Sequence, residues 1–238
     1  MRAVVLGATS AVGHAIVETL AAGSAWESII LVVRAQTEGR ARADFAKILG
    51  AEKIVIRGLD SLDDLSQLES ELSGFDAMFC SIGAYMKLDG PEAVQRVDFG
   101  YVVAAADLAQ RCGIPSFSLV SAGGADAGLP EDSKGFKFYL RSKGRADKAV
   151  LEKGIPRINV YRPGILFGRF SSKGTTSTRS KGNWDTFVAG FECCCCCLVK
   201  SAGVHVRHLA EVMVSKAETD DTDCKVIMDN AAIHAHHS

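Results

Sequence analysis

Short, nearly continuous apolar runs alternate with stretches whose apolar residues recur at helical spacing, and the alternation begins with the first residues of the chain. The runs are "AVVL" (3–6), "SIILVV" (28–33), "KIVI" (53–56), "DAMFCSI" (76–82), "SFSLVS" (116–121), "RINVY" (157–161) and "CKVIM" (224–228). Runs of this length without polar alternation predict strands covered on both faces. Between them, "SAVGHAIVETLAAG" and "LDDLSQLESELSG" predict amphipathic helices that stop at glycine, and "EAVQRVDFGYVVAAADLAQRCG" predicts the longest helix. The alternation predicts an α/β fold: a doubly wound parallel sheet with right-handed crossovers and helices on both faces. No internal repeat or linker divides it, so the expectation is one domain over residues 1–238. Regularity breaks at "GGADAGLPEDSKG" (123–135) and at "GRFSSKGTTSTRSKGNW" (168–184). Both follow the carboxyl ends of expected strands, where open α/β sheets bind ligands.

Composition narrows the function. The 238 residues are 47% apolar, enough for a substantial core, and the formal charge of −1 provides no electrostatic footprint for nucleic acid or an anionic membrane. No apolar run reaches the length of a bilayer span, and "AVVLGA" reads as a core strand instead of a signal peptide. The expected protein is soluble and cytoplasmic. Five of the eight cysteines form one run, Cys193 to Cys197, and Cys80 and Cys112 fall in apolar stretches. That placement fits reduced thiols in a self-sufficient core better than a disulfide scaffold.

Candidate chemistry starts at "VVLGATSAVGHAIV", where Gly7 directly follows the first strand and Gly13 lies in the next helix. Small residues there let a diphosphate approach backbone N–H groups at a helix N-terminus. Ser10 occupies the position of the middle glycine in the related G-x-x-G-x-x-G pattern; its hydroxyl either donates to a phosphate oxygen or crowds it. A ligand-free turn of small residues is the plainer alternative, but the position between strand one and helix one favours dinucleotide binding. At the end of strand two, "LVVRAQTEGRAR" offers Arg34 and no carboxylate directly after it, which favours the 2′-phosphate of NADP over the 2′-hydroxyl of NAD. Arg40 and Arg42 are further positive charges, and a solvated surface arginine is the alternative reading of Arg34.

Tyr139 and Lys143 are four residues apart, sharing one helix face. A free phenol, with a pKa of about 10, is a poor proton-transfer catalyst at neutral pH. A neighbouring ammonium is expected to pull that pKa down. Ser121 closes strand five and is the candidate for holding a carbonyl oxygen, with Ser118 the lesser one.

"GATSAVG", "SLVSAGGAD", "YLRSK" and "VYRPGILFGR" together resemble the short-chain dehydrogenase/reductases. "RVDFGYV" (96–102) and "CSIGAYMK" (80–87) point to the atypical NAD(P)H-binding branch that includes the Tat-interacting protein TIP30. The resemblance runs from residue 1 to about residue 170, with "VHVRHLAEVMV" familiar beyond it. It implies a Rossmann fold with a small substrate cap near residues 165–205. It implies diphosphate contacts from Gly7, Thr9, Ser10, Ala11, Val12 and Gly13, and a 2′-phosphate contact from Arg34. Ile82, Gly83 and Ala84 would border the adenosine and nicotinamide ribose, and Leu59 and Asp60 the adenine. Arg162, Pro163 and Gly164 would turn beside the nicotinamide amide. Lys143 would hold the nicotinamide ribose, Tyr139 would donate the proton and Ser121 would anchor the carbonyl. The implied function is an NADP-dependent oxidoreductase reducing a carbonyl or quinone-like group on a small substrate. The alternative is an NADPH-binding regulator acting through a protein partner, since the branch includes proteins of that kind.

Other features have plainer readings. Adjacent cysteines chelate metal poorly, so the cysteine run reads as a small apolar helix. The tail "HAHHS" reads as a frayed end. His205 and His208 read as structural, and Trp26 as packing. Trp184 is a packing residue or part of a substrate wall.

Overall fold

The computed structural model of the protein describes residues 1–168, 203–219 and 224–236. Strand β1, Arg2–Leu6, has its last four residues fully buried and takes the middle of a parallel sheet. It pairs with β2, Ser28–Arg34, on one side and with β4, Ala77–Cys80, on the other. Beyond β2 lies β3, Ile54–Leu59; beyond β4 lie β5, Ser116–Val120, β6, Arg157–Arg162, and β9, Lys225–Asp229. The order β3-β2-β1-β4-β5-β6-β9 is the doubly wound arrangement expected from the sequence. The chain moves outward from β1 in one direction, then resumes at β4 in the other. Its switch point therefore lies above the carboxyl ends of β1 and β4, where such sheets open a crevice.

Helices cover both faces. On one side α1, Ala11–Ala22, packs against α7, Val206–Glu218, and both contribute to a core with the inward residues of β1 and β2. Trp26 is buried there, and its indole N–H donates to Glu218 Oε1 at 2.6 Å, tying the start of β2 to the end of α7. On the other side, α5, Val102–Arg111, and α6, Gly135–Leu151, close a second core. A further helix, α2, Ala35–Phe45, follows β2 directly.

Two expected helices take different forms. "LDDLSQLESELSG" buries its leucines at positions 62, 65, 68 and 72 but forms only a 3₁₀ turn, Ser66–Leu68, and the single turn α3, Glu69–Leu72. Short polar side chains capture the local backbone instead: Asp63 N–H donates to Ser61 Oγ at 3.1 Å, and Ser66 N–H to Asp64 Oδ1 at 2.9 Å. The long helix is segmented. Its first part, α4, Met86–Val94, is broken by Gly90 at φ +81° just before Pro91, and a π-helical stretch, Gln95–Tyr101, leads into α5.

The expected cap lies mostly outside the described residues, as do Cys193 to Cys197 and Trp184. At its edges β7, Ile165–Phe167, pairs in parallel with β8, Gly203–His205. His205 caps α7, its Nδ1 accepting from Arg207 N–H at 3.2 Å. The expected frayed tail is packed at its first residue. His234 belongs to α8, Asn230–Ala235; its Nε2 lies 2.8 Å from Gly203 O and its ring stacks on His208. Among the described residues, Cys80, Cys112 and Cys224 are free thiols and no helix is long and apolar enough to cross a membrane.

Candidate active site

The turn from β1 into α1 is shaped by two glycines. Gly7 sits at φ +87°, and a Cβ there would lie 2.7 Å from Ile82 N and from the Ser81 carbonyl carbon. A Cβ on Gly13 would lie 2.1 Å from Gly7 O. Both distances are far below contact, so only glycine lets the turn press against the segment after β4. Ser10 has a structural task as well as a place on the cleft. It is the N-cap of α1, its Oγ accepting from Gly13 N–H at 3.0 Å and lying 3.3 Å from Ser81 Oγ. Capping fixes the helix start and leaves other first-turn N–H groups to face an anion. Of the residues expected to contact a diphosphate, Gly7, Thr9 and Ser10 line a cleft of about 540 Å³ over β1 and β4. Ala11 is exposed at the helix start, and Val12 and Gly13 are buried beneath it. Gly13→Ala should strain this turn by about 1–3 kcal/mol, roughly 10- to 100-fold in dinucleotide Kd, read by calorimetric titration.

At the outer end of the cleft, Arg34 closes β2 and lines the wall with Thr37. Arg40 pairs with Asp44 at 3.3 Å and Arg42 with Glu38 at 2.5 Å, one helical turn apart on α2. Arg34 has no ion pair among the described residues, and so remains the cation on this wall free to meet a ligand. Leu59 and Asp60 do not line the cleft. β3 runs through Leu59, whose side chain is buried in the core, Asp60 is exposed, and Leu62 reaches the cleft instead.

The inner wall is built by the segment after β4 and the π-helical stretch, with α6 packed behind it. Ile82, Gly83 and Ala84 follow β4 along the cleft wall. Behind them Asp98, fully buried, accepts Ala84 N–H on Oδ2 at 2.9 Å and places Oδ1 2.9 Å from Lys143 Nζ. A Cβ on Gly83 would come 3.2 Å from Asp98 Oδ1, so the glycine leaves the pair its room. α6 sits close because Gly144 has no side chain: a Cβ there would lie 2.3 Å from Ala127 N. Lys143 is buried; burial works against its charge, but the Asp98 carboxylate and the Tyr139 phenol outweigh burial and hold its pKa above the usual lysine value.

Tyr139 departs from expectation. Burial pushes its phenol up, Lys143 pulls it down, and Asp98 and Asp147 push it up again, so its pKa is raised and not lowered. Desolvation and two carboxylates outweigh one ammonium that already has a partner. Ser121 Oγ is buried at the end of the β5 segment and has no hydrogen-bond partner among the described residues. It lies near Asp147, whose carboxyl is raised by burial and held back by Ser121, Arg162 and Lys143. Ser118 is buried inside β5. The "RPG" turn lies beside this serine, with Pro163 O accepting Gly123 N–H at 2.8 Å and Gly164 N–H donating to Asn230 Oδ1 at 3.0 Å. Arg162, expected beside the nicotinamide, donates through Nε to Asp147 Oδ2 at 2.8 Å.

Residues 7–184 match the NAD(P)H-binding family. The chain belongs to that family. Within it, the chain is an atypical short-chain dehydrogenase/reductase. It is 28% identical to Protein HTATIP2 of Rattus norvegicus over 162 residues, 68% of this chain and 61% of the rat protein. It is 30% identical to the mitochondrial Protein FMP52-1 of Scheffersomyces stipitis over 187 residues, 76% of this chain and 75% of the yeast protein. In three dimensions the NAD(P)H-binding chain is similar to the Bordetella bronchiseptica enzyme WbmG in complex with NAD. The TM-score is 0.66 at 14% identity, covering 96% of this chain and 72% of WbmG. A nicotinamide dinucleotide fits the site as built: two glycines let the turn before α1 pack tightly, and that turn, with the start of α1, borders a cleft of about 540 Å³.

Sequence reasoning missed Asp98, Asp147 and Ser81. The signal for Asp98 was present: one carboxylate in "RVDFGYV", on a helix otherwise heading into the core.

Proposed function

We propose that this family member is an NADPH-dependent reductase of a carbonyl or quinone-like group on a small, fairly apolar substrate. The observation that carries the reading is the Tyr139–Lys143 pair on α6 set behind the wall of a dinucleotide-sized cleft, where a Cβ on cleft-lining Gly83 would lie 4.0 Å from Lys143 Nζ. The bound cofactor supplies hydride to the carbonyl carbon. Tyr139 gives its proton to the carbonyl oxygen, and the resulting phenolate is reprotonated from solvent. A raised phenol pKa suits this step, because the acid form is the donor and dominates at neutral pH. Ser121, whose hydroxyl lies beside the Asp147 carboxyl, is the group placed to turn toward the same oxygen. Support for an apolar, planar substrate comes from Phe136, exposed and stacked on Tyr139 with centroids 5.8 Å apart, and from exposed Ile165 and Leu166.

The choice of NADPH rests on Arg34, a cation on the cleft wall with no carboxylate partner among the described residues. Arg34→Ala should weaken NADPH binding about tenfold or more, the scale of one charge-assisted contact, while NADH affinity changes less than about twofold. Equal losses for both dinucleotides, measured by fluorescence titration, would overturn that assignment. The overall reading is tested by a panel of aldehydes, ketones and quinones with NADPH oxidation followed at its absorbance band. Turnover of at least one class is expected. Binding of NADPH with no turnover of any class, together with a change in affinity for a protein partner, would favour a regulator instead.

A further inference from the structure

A carboxylate in the interior is costly unless something answers its charge, and Asp98 is completely buried. It sits in the π-helical stretch Gln95–Tyr101, a departure from α geometry that recurs at functional sites. Both oxygens have a partner in the site: Oδ2 takes Ala84 N–H from the cleft wall and Oδ1 takes the Lys143 ammonium. The glycine at position 83 keeps that meeting open. Lys143 has one further contact, to Val120 O at 3.4 Å.

The consequence falls on Tyr139. A lone ammonium one turn away stabilises phenolate, because its field acts as that of a full positive charge. An ammonium 2.9 Å from a buried carboxylate acts as half of a neutral pair, and little of its field reaches a third group. We propose that Asp98 is a positioning residue that occupies the Lys143 ammonium and so keeps Tyr139 in its proton-donating form, setting the site for reduction over alcohol oxidation. The charged groups acting on Tyr139 are Lys143 and Asp147 from its own helix and Asp98 from the π-helical stretch. Asp147 is itself answered by Arg162 from β6, and the Cys80 thiol of β4, raised to about 11 by burial, lies near Lys143 as a neutral group. With Lys143 tied to Asp98 and Asp147 to Arg162, Tyr139 is left between two neutral pairs in a desolvated site.

The inference rests on Tyr139 as the donor but is tested apart from turnover. Tyrosinate absorbance is titrated in the cofactor-free protein and in Tyr139→Phe, and the difference isolates Tyr139. In the unsubstituted protein its ionisation should lie above the ordinary value of about 10. Asp98→Asn should lower it by about one pH unit, the scale of an unmasked opposite charge. Asp98→Ser, smaller and able to admit water, should do the same if the Asn variant does not fold. Asp98→Glu, which keeps the charge, should leave it nearly unchanged. An ionisation at or below the ordinary value in the unsubstituted protein overturns the proposal, as does an unshifted ionisation in the neutral variants. Neither result bears on whether Tyr139→Phe abolishes reduction, so the failure of one assignment is distinguishable from that of the other.

Discussion

Replacing Tyr139 by phenylalanine should lower carbonyl reduction by about 10²- to 10⁴-fold, the usual contribution of a positioned general acid. NADPH affinity should stay within about twofold, because Tyr139 is not among the residues lining the described cleft and its ring is retained. The substitution removes one hydroxyl. The stack on Phe136 persists, and Lys143 keeps Asp98 as partner. The effect should therefore appear in kcat and not in stability, with the thermal midpoint shifted by no more than a few degrees. The pH profile carries a second signature. With its pKa raised, Tyr139 stays protonated through neutral pH, so the rate of reduction should be flat there and fall only as the phenol ionises in the alkaline range. Alcohol oxidation needs the phenolate and should rise over that same alkaline range. A variant retaining most of its activity, or a wild-type profile falling below neutrality through Tyr139, would remove the phenol from the mechanism.

The parts of this site that follow from local pattern could be read in the sequence. Gly7 and Gly13 bracket a strand-to-helix turn, and that turn forms where the hydrophobic runs put it. Tyr139 and Lys143 share a face because four residues make about one helical turn, and α6 begins after β5 as expected. What depended on contacts between distant segments could not. Asp98 stands out in sequence only as the one carboxylate of "RVDFGYV"; the fold brings it against Lys143, and burial of Tyr139, together with Asp98 and Asp147, reverses the expected direction of the Tyr139 shift. The partner that α6 gives Arg162, Asp147, was not legible in the sequence. Ser10 offered a phosphate contact in sequence; the fold adds that its oxygen caps α1, which leaves the hydroxyl proton to give. The leucines at 62, 65, 68 and 72 have helical spacing, yet serines and aspartates between them bind the backbone locally and leave Leu62 to the cleft.

The largest effect on stability is expected from Lys143→Met. This change removes a buried cation and leaves the Asp98 carboxylate without its charge partner in a site water does not reach. Breaking a buried pair from one side typically costs about 3–5 kcal/mol, a large fraction of the stability of a domain. The midpoint of urea unfolding should fall accordingly, with the slope unchanged. Adding Asp98→Asn should restore much of the loss, since the second change removes the stranded charge and keeps an oxygen for Ala84 N–H. Such recovery is the mark of a coupled pair, and two independent losses would simply add. The double variant should nevertheless remain deficient in reduction, because it still lacks the lysine that the proposed mechanism places beside Tyr139. Stability that recovers without activity would separate the two roles of this lysine. A single variant as stable as the parent would mean that the carboxylate had taken up a proton or found another partner, and the electrostatic account of Tyr139 would then lose its central charge.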